Sequence, residues 1–328
     1  MAGNPVHLYF HSPCFDGLVS AVLLSDYLRT SAGHQIELHP VNYHLNETWA
    51  SLELAKPAAI VDFQYHPDAS IWYDHHATAF LTPAFEEHYR RRREPLVVFD
   101  RTLPSCSLLI WNQRLPMTGD HHEKVLAADI IDSARYESPQ QAVFDDRPAF
   151  LINATLAIGE TDEYTKYLVG ELLTRDLAAT AQLPVVQQRF QEFRRMRGLG
   201  MQAFRPTPDL EAQDGYTLTD DILLFAVDDA GGIISRYAPF TVAPEARYSL
   251  GVIRSGDRAK ITAMRNPWRE FESVPLGNIF KTFGGGGHQR VASTRLHGKN
   301  RGALIETLFK VRDAIRSAIS AQSSVAQA

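Results

Sequence analysis

Short apolar runs in the first hundred residues end one after another in histidine or aspartate. Val6-His7-Leu8-Tyr9-Phe10 leads into His11, Ala58-Ala59-Ile60-Val61 into Asp62, and Ile71-Trp72-Tyr73 into Asp74-His75-His76. Helical patterns lie between these runs. Gly17 to Arg29, for example, places Leu18, Ala21, Val22, Leu24 and Leu28 near one face of a helix. A parallel sheet covered by helices satisfies both patterns, and its loops gather at the carboxyl ends of the strands, where ligands bind.

The spacing predicts strands over Val6 to Phe10, Ile36 to Val41, Ala58 to Asp62, Ile71 to Tyr73 and Leu96 to Phe99. Helices are expected over Ser105 to Asn112, Glu123 to Asp132 and Phe150 to Gly159, followed by a long helical region from Tyr164 to Met201 interrupted near Leu183-Pro184. Gly198-Leu199-Gly200 and Pro206-Thr207-Pro208 read as boundary signals. Beyond them come strand patterns at Asp221 to Val227, Ala246 to Arg254 and Lys260 to Met264, the last two joined through Ser255-Gly256-Asp257. A helix near Leu276 to Phe283, a glycine loop, a strand near Arg290 to Leu296 and a helix from Arg301 to Ile319 complete the pattern. The expected architecture is α/β: a doubly wound, mainly parallel sheet domain (1–180), a helical linker (181–205), a smaller α/β domain (206–320) and a disordered tail (321–328).

Bulk properties exclude several classes. The 328 residues are 45% hydrophobic and 22% charged, as in an ordinary globular protein with about two cores. A net charge of -5 provides no general basic field, so a long duplex nucleic acid is not expected as a partner. Two cysteines, Cys14 and Cys106, cannot build a disulfide framework, which suggests a reducing compartment. With no apolar stretch of membrane-spanning length and no signal pattern, the expectation is a cytoplasmic protein.

Asp74-His75-His76 offers oxygen and nitrogen ligands to a divalent metal. One histidine can bind metal while the other faces substrate, and Asp74 can fix a ring by accepting its other N–H. A surface His pair is the competing reading. In His11-Ser12-Pro13-Cys14-Phe15-Asp16-Gly17, both His11 and Asp16 are candidate ligands, although for this turn taken singly the favoured reading is that Asp16 merely caps the next helix and His11 is an ordinary loop residue. Cys14 reads as a small buried residue or a ligand. Asp62 has two oxygens that could bridge two ions. Asp129 and Asp132 lie three apart in one helical pattern, and Asp132 is the preferred ligand.

Gly284-Gly285-Gly286-Gly287-His288 lets backbone N–H groups approach an anion, with His288 as a charge-assisted donor. The alternative is a flexible linker. Arg265 could clamp a phosphate if it lies near this loop. The run Arg90 to Arg93 is read as a solvated helix face, with contact to an oligonucleotide backbone as the minority reading.

Together these residues resemble the DHH phosphoesterase superfamily, in the branch carrying a carboxy-terminal DHHA1 domain. The first turn, with His, Cys and Asp-Gly where the commoner pattern has two aspartates, is similar to the NrnB-like oligoribonuclease and cyclic-nucleotide phosphodiesterase subgroup. The resemblance implies two Mn2+ ions, with other divalent metals allowed. His11 would bind the first, Asp16, His75 and Asp132 the second, and Asp62 both; His76 would contact phosphate. It also implies that Arg265, Gly284 to Gly287 and His288 bind substrate, a short RNA or small nucleotide. A homodimer stays open. The alternatives are pyrophosphate or polyphosphate hydrolysis, nucleotide dephosphorylation, and a non-catalytic nucleotide-binding module.

Overall fold

The computed structural model describes residues 4–229, 231–298 and 300–325. It packs as two units, the first containing the chain up to Tyr136 together with Asp145–Phe193, the second Glu137–Phe144 together with the chain from Arg194 onward.

The first unit starts with β1 (Val6–His11), α1 (Phe15–Ala32), β2 (Ile36–Val41), α2 (Asn46–Trp49), β3 (Ala58–Val61), β4 (Ala69–Asp74), α3 (Pro83–Arg91), β5 (Val97–Phe99), α4 (Cys106–Asn112) and α5 (His122–Asp132). After α6 (Pro139–Phe144), which packs in the second unit, come α7 (Pro148–Thr155), α8 (Asp162–Thr174), α9 (Leu177–Ala181) and α10 (Pro184–Gln202). All strand pairs are parallel, in the order β2-β1-β3-β4-β5. Helices α1, α4, α5 and α7 to α10 cover one face through a core around Leu8, Phe10, Leu18 and Ile110. Trp49, Trp72, Phe63 and Tyr65 fill the other, under α2 and α3. The sheet is thus doubly wound, and its order reverses between β1 and β3, where a doubly wound sheet opens a crevice at its strand ends.

Local chemistry sets the turns. Helix α1 ends at Gly33, whose left-handed φ of 61° lets its N–H reach Arg29 while His34 reaches Leu28. Ser105 caps α4 by accepting from the Leu108 N–H, and Asp176 caps α9 by accepting from that of Ala179. The Asp176 cap follows a break that the expected single interruption at Leu183-Pro184 did not include.

The second unit adds β6 (Gly215–Thr219), β7 (Ile222–Asp228), α11 (Ala238–Val242), β8 (Tyr248–Ser255), β9 (Arg258–Arg265), α12 (Leu276–Lys281), β10 (Gly286–Gly287), β11 (Val291–His297) and α13 (Arg301–Val325). Its mixed sheet runs β10-β11-β9-β8-β7-β6, with only β7 and β8 parallel. Helices α12 and α13 cover one face, and α11 with Phe204 lies against the other.

Two expectations change here. Helix α10 runs through Gly198-Leu199-Gly200 instead of breaking there, and Gly200 serves packing: a Cβ would meet the Ile233 carbonyl oxygen at 2.2 Å. Helix α13 reaches Val325, beyond the expected helix end, while positions 326–328 of the expected disordered tail lie outside the described residues. Among the described residues no helix is long and apolar enough to cross a membrane.

Candidate metal centre

The strand ends beside the β1/β3 reversal gather the acidic and imidazole side chains. His11 is the last residue of β1, Asp62 follows β3, and Asp74 ends β4. Asp16 sits in the first turn of α1, and Asp132 is the last residue of α5.

Asp62 lies at the middle of this group. Its side chain is fully buried, and neither oxygen accepts a hydrogen bond. Around it stand His11 Nδ1 at 3.4 Å, His75 Nε2 at 3.7 Å and His76 Nδ1 at 3.7 Å. His75 Nε2 also lies 3.4 Å from Asp132 and 3.9 Å from Asp16. Two three-residue sets converge closely enough to share an ion, Asp62 with His75 and His76, and Asp16 with His75 and Asp132; His11, Cys14 and Asp62 form a third.

Hydrogen bonds aim these groups. The His75 Nδ1 donates to the Leu103 carbonyl at 3.1 Å, since a carbonyl can only accept, and this leaves Nε2 as the inward-facing nitrogen. That Nε2 is buried and has no hydrogen-bond partner. Asp74 accepts from the backbone N–H groups of His75 and His76 and, at 2.8 Å, from His76 Nδ1. Asp16 accepts from the N–H groups of Cys106 and Ser107 at the start of α4, at 2.6 and 3.0 Å. A helix amino terminus is a favourable place for a carboxylate.

The charges are unbalanced without a cation. Burial first, then Asp16, Asp132 and Asp74, push the Asp62 carboxyl well above its ordinary range. Burial and Asp16 raise Asp132 to about 7, and burial with His76 lowers His11 to about 4. Burial works against charge on His76, but the Asp74 hydrogen bond and neighbouring carboxylates hold its pKa above 6.5. Burial, followed by Asp62, Asp132 and Asp16, pushes the Cys14 thiol up. Buried acceptors and a buried imidazole nitrogen with no partner, in a cluster that repels its own charge, are what a divalent cation would satisfy.

A pH dependence follows. A carboxyl raised to about 7 binds a proton in the folded state that the unfolded chain has already released, so Asp132 favours folding most below pH 4, and that advantage is lost as pH rises through 7. The raised Asp62 and His76 act in the same direction; His11, lowered to about 4, opposes them only below its ordinary 6.5. Metal-stripped protein should therefore melt roughly 2–4 °C lower at pH 8 than at pH 6.5, and Mn2+ should reverse the difference. A melting temperature that rose with pH in the stripped protein would contradict this picture.

Asp132, rather than Asp129, faces the centre, because Asp129 pairs with Arg135. Tyr43, not anticipated from the sequence, packs edge-on against His11 at 4.8 Å between ring centres. It follows the end of β2 just as the candidate ligands follow their strands, and that position was its signal.

In the second unit, Gly286 and Gly287 are strand β10, paired with Ser293 and Ala292 of β11. The N–H groups of Gly284, Gly285 and His288 donate to Lys281, Phe280 and Val291 carbonyls, so these three amides are not free to cradle an anion as expected. The glycines instead permit close approach: a Cβ on Gly287 would meet the Val291 oxygen at 2.3 Å. Arg265 is buried, donating to the Asn266 and Phe271 carbonyls with its guanidinium over the Phe271 ring. This engagement leaves Arg236, Lys260 and Arg290, with His288, as the cations lining a cavity of about 320 Å³ beside Gly286 and Gly287. A second cavity, of about 540 Å³, contains Lys260 again with Arg258, Arg295 and His297.

The fold, a doubly wound parallel sheet followed by a smaller mixed-sheet domain, is shared with solved structures. In particular, the chain is similar in structure to the pGpG-specific phosphodiesterase PggH from Vibrio cholerae, at a TM-score of 0.72 and 16% identity, covering 94% of this chain and 99% of that one. An exopolyphosphatase-related protein from Bacteroides fragilis aligns at a TM-score of 0.47 and 12% identity, covering 100% of this chain and 94% of that one. No protein-family model matches the sequence, and no curated protein matches it significantly.

Proposed function

We propose that this chain is a metal-dependent phosphoesterase that hydrolyses the phosphodiester bonds of short oligoribonucleotides or small nucleotides. The observation that carries the reading is Asp62, fully buried, its two oxygens without hydrogen bonds and facing three imidazoles. His11 and Asp62 would hold one divalent ion, with Cys14 beside them, and Asp16, His75 and Asp132 a second, with Asp62 common to both. Mixed carboxylate and imidazole ligands suit Mn2+, the ion we assign. When bound, such a pair lowers the pKa of water toward neutrality and offsets charge on the reacting phosphate.

The protein's own groups do the rest. His75 is held by Leu103 with Nε2 inward, so its ring needs no reorientation on binding metal. His76 is fixed by Asp74 through Nδ1, and its other nitrogen is left to donate to a phosphate oxygen. Burial of Asp16, Asp62 and Asp74 keeps water from competing for the carboxylates.

The second unit supports an anionic substrate. Strands β9 and β11 place Lys260 opposite Arg295. Like charges directly opposite one another are destabilising, so a bound polyanion would relieve them. Side chains two apart on a strand are separated by about 6.6 Å. A nucleotide backbone, with a sugar between successive phosphates, can follow such spacing, whereas polyphosphate, with one bridging oxygen, has phosphates set closer. The V. cholerae neighbour, described as acting on pGpG, favours the same class.

The test is a product analysis with Mn2+-loaded protein on short RNA, pGpG, 3′-phosphoadenosine phosphate, cyclic nucleotides, pyrophosphate and polyphosphate. Turnover of short RNA or pGpG above the others is expected, and its loss in Asp132→Asn with an unchanged circular-dichroism spectrum. Preference for pyrophosphate or polyphosphate would replace the substrate assignment; full activity in Asp132→Asn would remove Asp132 from the centre.

A further inference from the structure

We propose a second metal site, separate from the carboxylate-rich centre, in which His7, Glu37 and His39 take one zinc-class divalent ion. The three side chains project from the paired parallel strands β1 and β2, where His7 lies opposite Glu37 and Tyr9 opposite His39. Alternation along the strands puts His7 and Tyr9 on one face, beside Glu37 and His39. His7 precedes His11 by four residues on β1, roughly 13 Å along the strand.

The geometry fits a shared ion. His7 Nδ1 and His39 Nε2 are at hydrogen-bond distance, 3.0 Å, with His7 Nδ1 and Glu37 Oε2 at 3.4 Å and His39 Nε2 and Glu37 Oε1 at 3.7 Å. Ligands about 2.0–2.1 Å from a tetrahedral zinc stand about 3.4 Å from one another. The observed triangle brackets that value, with both carboxylate oxygens turned toward the imidazoles. Three protein ligands with a fourth position open to water is an established zinc arrangement.

The rings are already held in place. His39 stacks on Tyr9 at 4.6 Å and 18°, and the Tyr9 hydroxyl accepts from the Ala55 N–H. Burial lowers the pKa of His39, with Glu37 opposing and His7 and Lys166 assisting, which favours the neutral ring that a metal requires. The Lys166 ammonium is paired with Glu163 at 2.7 Å. Two imidazoles and one carboxylate favour Zn2+, Co2+ or Ni2+ over Mg2+. A bound ion would tie the edge strand β2 to β1.

The site is tested by titrating zinc into the EDTA-stripped full chain against a chromophoric chelator. His39→Ala and the more exposed Glu37→Gln are each compared with their parent, in the native sequence and again with Asp62→Asn. Expected is one zinc equivalent lost, or weakened at least about 100-fold, in His39→Ala in both backgrounds, with a smaller weakening in Glu37→Gln. Co2+ in the Asp62→Asn protein should give tetrahedral absorption bands that His39→Ala removes. If both variants bind zinc as their parents do, or if every equivalent disappears with Asp62→Asn alone, the site does not exist.

Discussion

Asp62→Asn should abolish phosphodiester hydrolysis, by at least about 10³-fold, and at the same time make the metal-free protein more stable. The two effects share one cause. The Asp62 carboxyl is buried with three other carboxylates near it, and without a cation its charge opposes folding. An amide of the same shape removes that charge, a gain of about 1–3 kcal/mol. Asn is also the fitting replacement for the backbone, because position 62 has φ 57°, a left-handed conformation that Asn tolerates and Ala does not. Native protein should gain about 2.7 kcal/mol at Mn2+ concentrations a hundred times its dissociation constant, and the variant far less. Thermal melts with and without Mn2+, alongside a rate assay, check both halves. A variant that is inactive yet less stable without metal would mean that Asp62 is structural.

Gly17→Ala is the second large effect, and its sign opposes helix propensity. Within a helix, alanine is favoured over glycine by about 1 kcal/mol. At position 17, however, a Cβ would lie 2.1 Å from the His11 carbonyl oxygen, a backbone atom that cannot swing away. To relieve this clash, α1 must move off the end of β1, carrying Asp16 away from His11. A loss of about 3 kcal/mol in urea unfolding is expected, with metal affinity falling as well. A change below about 0.5 kcal/mol would show that the strand-to-helix turn is looser than its geometry indicates.

Much of this centre was legible because parallel strands announce themselves. Ala58 to Val61 and Ile71 to Tyr73 are continuous apolar runs, as strands buried on both faces must be, and Val6 to Phe10 is broken only by His7, so the polar residues at their ends stand out. Asp132 could be separated from Asp129 only in three dimensions, since three residues along a helix leave both on neighbouring positions. Tyr43 escaped because it follows an edge strand, Ile36 to Val41, interrupted by Pro40 and carrying no acidic residue at its end. The support of Asp16 by Cys106 and Ser107 joins residues 90 and 91 apart, beyond any local pattern. Glycines misled twice, at Gly198 to Gly200 and at Gly284 to Gly287. A glycine that admits a neighbouring backbone is indistinguishable in sequence from one that ends a helix or opens a loop.

The assignment of residues 137–144 to the second unit means that the polypeptide crosses between units three times, not once. Helix α6 buries Pro139 and Val143 and packs with α11, though Asp145–Phe193 of the first unit, the end of α10 and strands β6 and β7 lie between the two elements in sequence. A rear half excised at residue 206 would therefore lose part of its own interior. In modular terms the two lobes are interlaced, and any exchange between relatives, natural or engineered, must carry the α6 segment with the carboxy-terminal half.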